Sequence, residues 1–186
     1  MDINNQVKVE IIWDTPEIDS KIKELASKIV ENWGDADTVN LIPIMTGAIC
    51  FGSKLLNHLE SLKPDKWVVN PVLASAYSDE FNPSEPEIVT SRNFEHRMQM
   101  GFPTIILDDL IDTGVTLIKL KNKIESLTNG PVEIAVLVDK KFRRQINLEA
   151  KYSCFTLNDD KWLVGYGMDY KGKMRGMDKI GYIANL

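Results

Sequence analysis

The chain has 186 residues, enough for one domain that buries its own core without disulfides or structural metal. A formal net charge of −5 excludes the basic surface by which a protein grips nucleic acid or an anionic membrane, and no apolar run approaches bilayer-spanning length. Cys50 and Cys154 stand too far apart for metal-type spacing or a disulfide scaffold. The stretch MDINNQVKVEIIWD has no basic segment followed by an apolar run, so no signal peptide is expected and the expected location is the cytoplasm.

Along the chain, Val7, Val9 and Ile11 alternate with polar residues and predict a short strand or extended arm. Thr15-Pro16 suits a helix start, with the threonine as cap and the proline in the first turn. Ile18, Ile22, Leu25, Ala26, Ile29, Val30 and Trp33 share one helical face, and Gly34 ends it. Val39 to Met45 reads as a buried strand, followed by a small-residue turn at Thr46-Gly47-Ala48 and a helix through Leu55, Leu56 and Leu59. Trp67 to Tyr77 predicts a second strand. Residues 78–100 are rich in Ser, Glu, Pro and Asn without periodicity, the mark of a functional lid or a disordered segment. Thr104 to Leu107 is a third strand, Leu117, Leu120, Ile124 and Leu127 a helix closed by Asn129-Gly130, and Val132 to Val138 a fourth strand.

Strand and helix in alternation predict an α/β fold with a mainly parallel central sheet flanked by helices. The core is expected over residues 15–141. From Phe142 to the end the pattern turns to short strands, expected to form a small hood, with the N-terminal arm, over the carboxyl edge of the sheet. Ligands of such sheets bind beyond that edge.

Thr104 to Thr116, TIILDDLIDTGVT, carries the most chemistry. Asp108 and Asp109 are expected to emerge from the strand end. Asp112, Thr113, Gly114, Val115 and Thr116 form a tight turn into the next helix. Such a turn gathers N–H groups and hydroxyls at a positive helix N-terminus, a cradle for phosphate. The two carboxylates would repel a phosphate, so they call for another partner, ribose hydroxyls or a hydrated magnesium ion. Asp-Thr-Gly is also the active-site triplet of aspartic proteases, but those are largely β proteins that pair two such aspartates, and here the triplet leads into a helix.

This stretch resembles the 5-phosphoribosyl-1-pyrophosphate (PRPP) motif of the type I phosphoribosyltransferases. The likeness extends through Leu163 to Arg175, LVGYGMDYKGKMR, which is similar to the C-terminal signature of the hypoxanthine-guanine phosphoribosyltransferases, and through Val136 to Arg144, VLVDKKFRR. It implies transfer of the 5-phosphoribosyl group from PRPP to hypoxanthine or guanine, with release of pyrophosphate and with Mg2+ as cofactor. It implies Asp112 as general base, and Asp108, Asp109, Thr113 to Thr116, Thr46, Gly47 and Arg175 as PRPP and pyrophosphate contacts. Lys140 would donate to the purine 6-oxo group, Trp162 stack on the ring and Leu163 meet the base edge through its backbone. Asp169, with Asp108 and Asp109 through water or ribose hydroxyls, would hold magnesium, and Tyr77 would close over the site from the lid. Lys141, Arg143 and Arg144 are expected as surface charge, His58 on a helix surface and His96 in the lid. The resemblance further implies a homodimer or homotetramer acting on small molecules, without nucleic acid or membrane.

The chain departs from the family at Thr46, where Lys or Arg is common, at Ala76-Tyr77 in place of Ser-Tyr, at Asp108 in place of Glu, and at Val115 in place of a polar residue. These departures suit a second reading, a PRPP-binding regulatory protein of the same fold with little or no catalysis.

Overall fold

The computed structural model describes residues 7–75, 78–79, 82–83 and 86–185. In chain order the elements are β1 (Val9–Trp13), α1 (Thr15–Trp33), β2 (Val39–Met45), α2 (Ile49–Leu62), β3 (Trp67–Val69), β4 (Val72–Ser75), β5 (Ser78–Asp79), β6 (Asn82–Pro83), β7 (Glu87–Val89), α3 (Phe94–Arg97), β8 (Thr104–Ile111), α4 (Val115–Glu125), β9 (Val132–Lys140), β10 (Tyr152–Leu157), β11 (Leu163–Val164) and β12 (Ile180–Ile183). The main sheet runs β10-β9-β8-β2-β4-β7, with β3 also on β2. Every pairing in it is parallel except the antiparallel edge strand β7 on β4.

Alternation along the central strands sorts side chains to two faces. Ile105 and Leu107 of β8 and Ala135 and Leu137 of β9 join the core beneath α1 and α2. Ile106, Ile134 and Val136 join the opposite core, beneath α4 and with Phe94 and Met98 from the segment around α3. Each face is therefore dry, which is why β2, β8 and β9 read as nearly continuous apolar runs. Asn40, a buried polar residue of β2, is satisfied: its side-chain amide donates to the Gln99 carbonyl at 2.9 Å and its oxygen accepts from the Gln99 N–H at 2.9 Å.

The structure corrects the sequence reading in several places. Asp14, not Thr15, caps α1: its carboxylate accepts from the Glu17 N–H at 3.1 Å, while the Thr15 hydroxyl donates to Asp178. The strand expected over Trp67 to Tyr77 breaks at Asn70-Pro71, because proline has no N–H to continue a ladder. Pro43 of β2 lies at the same lapse, between the residues paired with β3 and those paired with β4. α4 ends at Glu125 rather than beyond Leu127. Gly130 is needed for close approach of the backbone, since a Cβ there would meet the Phe102 carbonyl oxygen at 2.2 Å.

Two further corrections bear on the site. β8 runs on to Ile111, where it still pairs with Asp139 of β9, so Asp108 and Asp109 lie within the strand rather than beyond it. Tyr152–Leu157 is not part of the small hood but pairs with β9 as an edge strand of the main sheet. The separate three-stranded sheet is β1-β12-β11, all antiparallel, and joins the N-terminal arm to the C-terminal segment. Trp13 anchors it to the main sheet by stacking on Phe155 of β10, ring centroids 4.3 Å apart. Of the expected lid, β5 pairs with β6, β7 lies on the sheet, and Phe94 and Met98 are buried, so its second half belongs to the fold. No helix among the described residues is long and apolar enough to cross a membrane.

Candidate active site

A cavity of about 710 Å³ opens where β2, β8 and β9 end, walled on the far side by the segment from Lys161 to Arg175. Thr46, Gly47, Asp108, Asp109, Asp112, Thr113, Gly114, Thr116, Lys140, Trp162, Leu163, Asp169 and Arg175 all line it. Val115 does not; it is the first residue of α4, half-buried beneath the turn. Tyr77 falls outside the described residues.

The turn from β8 into α4 is shaped by Gly114, whose φ of +87° favours glycine, at the helix cap. Its carbonyls are held from behind. Arg144 Nε donates to the Asp112 carbonyl at 3.1 Å and the Gln145 N–H to the Thr113 carbonyl at 3.1 Å. The Val115 N–H donates to the Thr113 hydroxyl at 3.4 Å, and the N–H groups of a first helical turn have no intrahelical partner, so the turn gathers donors at the cavity floor.

Asp109 is wedged beneath two glycines. A Cβ on Gly47 would meet both of its carboxylate oxygens at 2.7 Å, and one on Gly167 would meet the Gly47 carbonyl oxygen at 2.0 Å. The Met45–Thr46 peptide bond just before Gly47 is cis. The Asp109 N–H donates to Asp108 Oδ1 at 3.0 Å. Burial, and then the neighbouring Asp109 carboxylate, push the Asp108 carboxyl well above the usual range; burial raises Asp109 as well, against the pull of Asp108 and Arg175.

At the other end of the cavity Lys140, 4% exposed, ends β9. Its ammonium lies 3.4 Å from Asp160 Oδ1 and 3.8 Å from Asp112 Oδ1. Asp112 Oδ1 is buried and has no hydrogen-bond partner among the described residues. Trp162 is 47% exposed yet held in place, its indole N–H donating to the Asp169 carbonyl at 2.8 Å and its ring edge-on to Tyr170. An exposed aromatic fixed by both neighbours on a cavity wall is a platform for a flat ring. Asp169 Oδ1 pairs with Arg175 at 2.5 Å and Oδ2 accepts the Gly172 N–H at 2.7 Å, so that carboxylate is oriented from both sides.

Sequence reasoning missed three of the site's residues. Arg143 is exposed, as expected of surface charge, but it also lines the cavity and clamps Asp160. Arg144, expected likewise, is mostly buried, paired with Asp139 and bonded to the carbonyls of Asp112 and Leu148. Asp160 itself carried no signal, since one of two adjacent aspartates in a polar turn reads as solvated. Lys141 is exposed, as expected. His58 on α2 is mostly covered and contacts Asp19 of α1 at 3.0 Å, which ties the two helices rather than leaving it on the surface.

Residues 8–171 match the model of the phosphoribosyl transferase domain. The hypoxanthine-guanine-xanthine phosphoribosyltransferase of Tritrichomonas foetus is 27% identical over 175 residues, which cover 93% of this chain and 90% of that protein. The hypoxanthine-guanine phosphoribosyltransferase of Streptococcus pneumoniae strain R6 is 26% identical over 182 residues, 97% of this chain and 96% of the relative. Among solved structures, a hypoxanthine phosphoribosyl transferase of Trypanosoma cruzi superposes with a TM-score of 0.84 at 20% identity, covering 98% of this chain and 94% of the other. The Asp-Thr-Gly triplet is set in a largely parallel α/β sheet and opens a helix, unlike the β setting of a protease dyad, and this chain is a member of the phosphoribosyltransferase family.

Proposed function

We propose that the protein transfers the 5-phosphoribosyl group of PRPP to N9 of a 6-oxopurine, hypoxanthine or guanine, releasing pyrophosphate in purine salvage. One observation carries the choice of base: a buried carboxylate oxygen without a partner, on Asp112, stands 3.8 Å from the buried ammonium of Lys140. An acceptor beside a donor matches the N7–H and the O6 of a 6-oxopurine. The 6-amino group of adenine would set a donor against the ammonium, which cannot accept.

In this mechanism the base lies on Trp162, with its edge toward Leu163, and the 5-phosphate sits on the turn from Thr113 to Thr116. N9 forms its bond to ribose C1 as the bond from C1 to the pyrophosphate oxygen breaks, and the Asp112 carboxylate accepts the proton from N7. Asp108 and Asp109 hold the ribose hydroxyls, while the backbone around Thr46-Gly47 and the Arg175 guanidinium face the departing pyrophosphate. Thr46 brings no charge of its own, whereas the Arg175 guanidinium lines the cavity and acts on Asp109.

A divalent cation fits the donor set. Half-buried Asp108 and buried Asp109 sit side by side on the cavity wall, each pushed toward its neutral form by burial, and no cluster of three or more His, Cys, Asp or Glu side chains among the described residues makes a full protein cage. That is the pattern of Mg2+, which keeps several waters and takes substrate phosphate oxygens beside one or two carboxylates. Asp108, Asp109 and, through water, Asp169 would hold it, and it would supply positive charge for the leaving pyrophosphate. On the same reading the enzyme works in the cytoplasm as a homodimer or homotetramer.

The regulatory reading is disfavoured by the relatives, which are named as enzymes, and by the retention of Asp112, Lys140 and an aromatic at Trp162. The test is to supply PRPP and Mg2+ with hypoxanthine, guanine, xanthine or adenine, and to follow nucleotide and pyrophosphate together. Turnover of an oxopurine, with kcat lost in Asp112→Asn and PRPP affinity kept, is expected. PRPP binding without turnover on any base would favour the regulatory protein.

A further inference from the structure

Lys140 has to present an N–H to the base, yet its head lies between two carboxylates that compete for it. Asp112 Oδ1, the acceptor proposed for N7–H, is 3.8 Å away, and Asp160 Oδ1 is nearer at 3.4 Å. Asp160 is not part of the cavity wall, although Lys140, Arg143, Lys161 and Trp162 around it are. It is itself firmly placed: Arg143 Nε lies 2.5 Å from its Oδ1 in an ion pair, and a terminal nitrogen of the guanidinium donates to its Oδ2 at 3.0 Å. Its own N–H goes to Asp159 Oδ1 at 2.9 Å. The Arg143 guanidinium, and then the Lys140 ammonium, hold the Asp160 carboxyl below the usual carboxylate range.

We propose that Asp160 is a positioning residue for base selection, which draws the Lys140 ammonium off Asp112 and fixes it where one N–H meets the 6-position of the purine. The inference rests on the 6-oxopurine reading of the cavity. An ammonium has three donors on a flexible stem of four methylenes. With Asp160 in place one donor is spent on the wall, and the head is kept back from Asp112. Without it, the nearest remaining anion is Asp112, and the ammonium closes on the lone pair that N7–H requires. One substitution outside the cavity therefore disturbs both contacts to the base edge and leaves the phosphate turn and the Asp109 glycine pocket untouched.

The experiment compares wild type, Asp160→Asn and Asp160→Glu for KM and kcat with hypoxanthine, for KM with PRPP, for adenine turnover and for melting temperature. Asp160→Asn is expected to raise the hypoxanthine KM roughly tenfold, the scale of one charge-assisted hydrogen bond, with the PRPP KM within about twofold of wild type. The ratio of adenine to hypoxanthine kcat/KM should rise, and Asp160→Glu should recover part of the loss. Arg143→Gln, which frees Asp160 from its clamp, is the second variant, with a smaller rise in hypoxanthine KM expected. A folded Asp160→Asn protein with unchanged hypoxanthine KM overturns the inference, as does an equal rise in both KM values. If Asp160→Asn fails to fold, an unchanged hypoxanthine KM in Arg143→Gln overturns it. A wild-type protein that converts no oxopurine overturns the functional reading, and this inference falls with it; an active wild type confines the failure to Asp160.

Discussion

Replacing Arg144 by methionine keeps the apolar stem and deletes the guanidinium, which braces the turn from β8 into α4. Its side chain is 15% exposed and that of its partner Asp139 8% exposed. The same guanidinium bonds the Asp112 carbonyl at 3.1 Å, the Leu148 carbonyl, and the Lys140 carbonyl at 3.4 Å. Removing one partner of a buried ion pair costs about 3–5 kcal/mol, because the charge left behind is uncompensated. For a chain of this length about 1 kcal/mol moves the melting temperature by about 2–4 °C, so a fall of about 6–20 °C is expected. Removing the stranded charge as well, in Arg144→Met with Asp139→Asn, should recover a good part of that loss. Thermal unfolding followed by circular dichroism reads both variants, and PRPP titration reads the turn. The PRPP affinity should fall in the single variant more than the hypoxanthine KM rises. A single variant melting within about 2 °C of wild type would refute the buried-pair argument. So would a double variant as unstable as the sum of its two single changes.

Three other outcomes are expected. Gly47→Ala puts a methyl group 2.7 Å from both oxygens of Asp109, so kcat/KM for PRPP should drop roughly 10- to 100-fold while the melting temperature changes little, as initial-rate kinetics will show. Trp162→Ala removes the platform and should raise the base KM roughly 5- to 150-fold, with Trp162→Phe close to wild type; equal effects of both would rule out stacking. Burial pushes the Cys154 thiol up to about 12, so at pH 8 it stays protonated. Iodoacetamide should then label it roughly a thousandfold more slowly in the native protein than in urea, with mass spectrometry of the Cys154 peptide as the readout.

The parts of the fold legible in the sequence are those whose cause is local. α1 announces itself by its apolar face from Ile18 to Ile29, and β2 and β9 by apolar runs bounded by turn residues. The segment from Thr104 to Thr116 holds a strand, two acids and a glycine turn in one stretch, so its chemistry could be read before its surroundings were known. What failed depends on partners distant in sequence. Nothing within Tyr152–Leu157 distinguishes a hood strand from an edge strand of the main sheet; the stacking of Phe155 on Trp13 and the pairing with β9 decide it. The extension of β8 past Leu107 is set by Val136, Val138 and Asp139 on the neighbouring strand, which supply the ladder that carries two aspartates into the interior. The break at Asn70-Pro71 was visible as a proline, but its place became meaningful only against Pro43 on β2.

The cationic run from Lys140 to Arg144 shows the limit most sharply, because its four charges look interchangeable and are not. Lys140 is buried, facing Asp160, 20 residues on, and Asp112. Lys141 is left in water. Arg143 reaches Asp160 across 17 residues, and Arg144 reaches back 32 residues to the Asp112 carbonyl while pairing with Asp139. Each cation takes its character from the acid or carbonyl that the topology brings to the end of β9. The same reasoning sorts the consequences of losing each one. On the proposed function Lys140 would bear on the purine 6-position, Arg143 on the placement of Lys140 through Asp160, Arg144 on the turn into α4 and on stability, and Lys141 on none of these. The carboxyl end of β9 is therefore where the proposed base contact of Lys140 and the support of the turn into α4 meet, held together by charges that the sequence presents as one solvated patch.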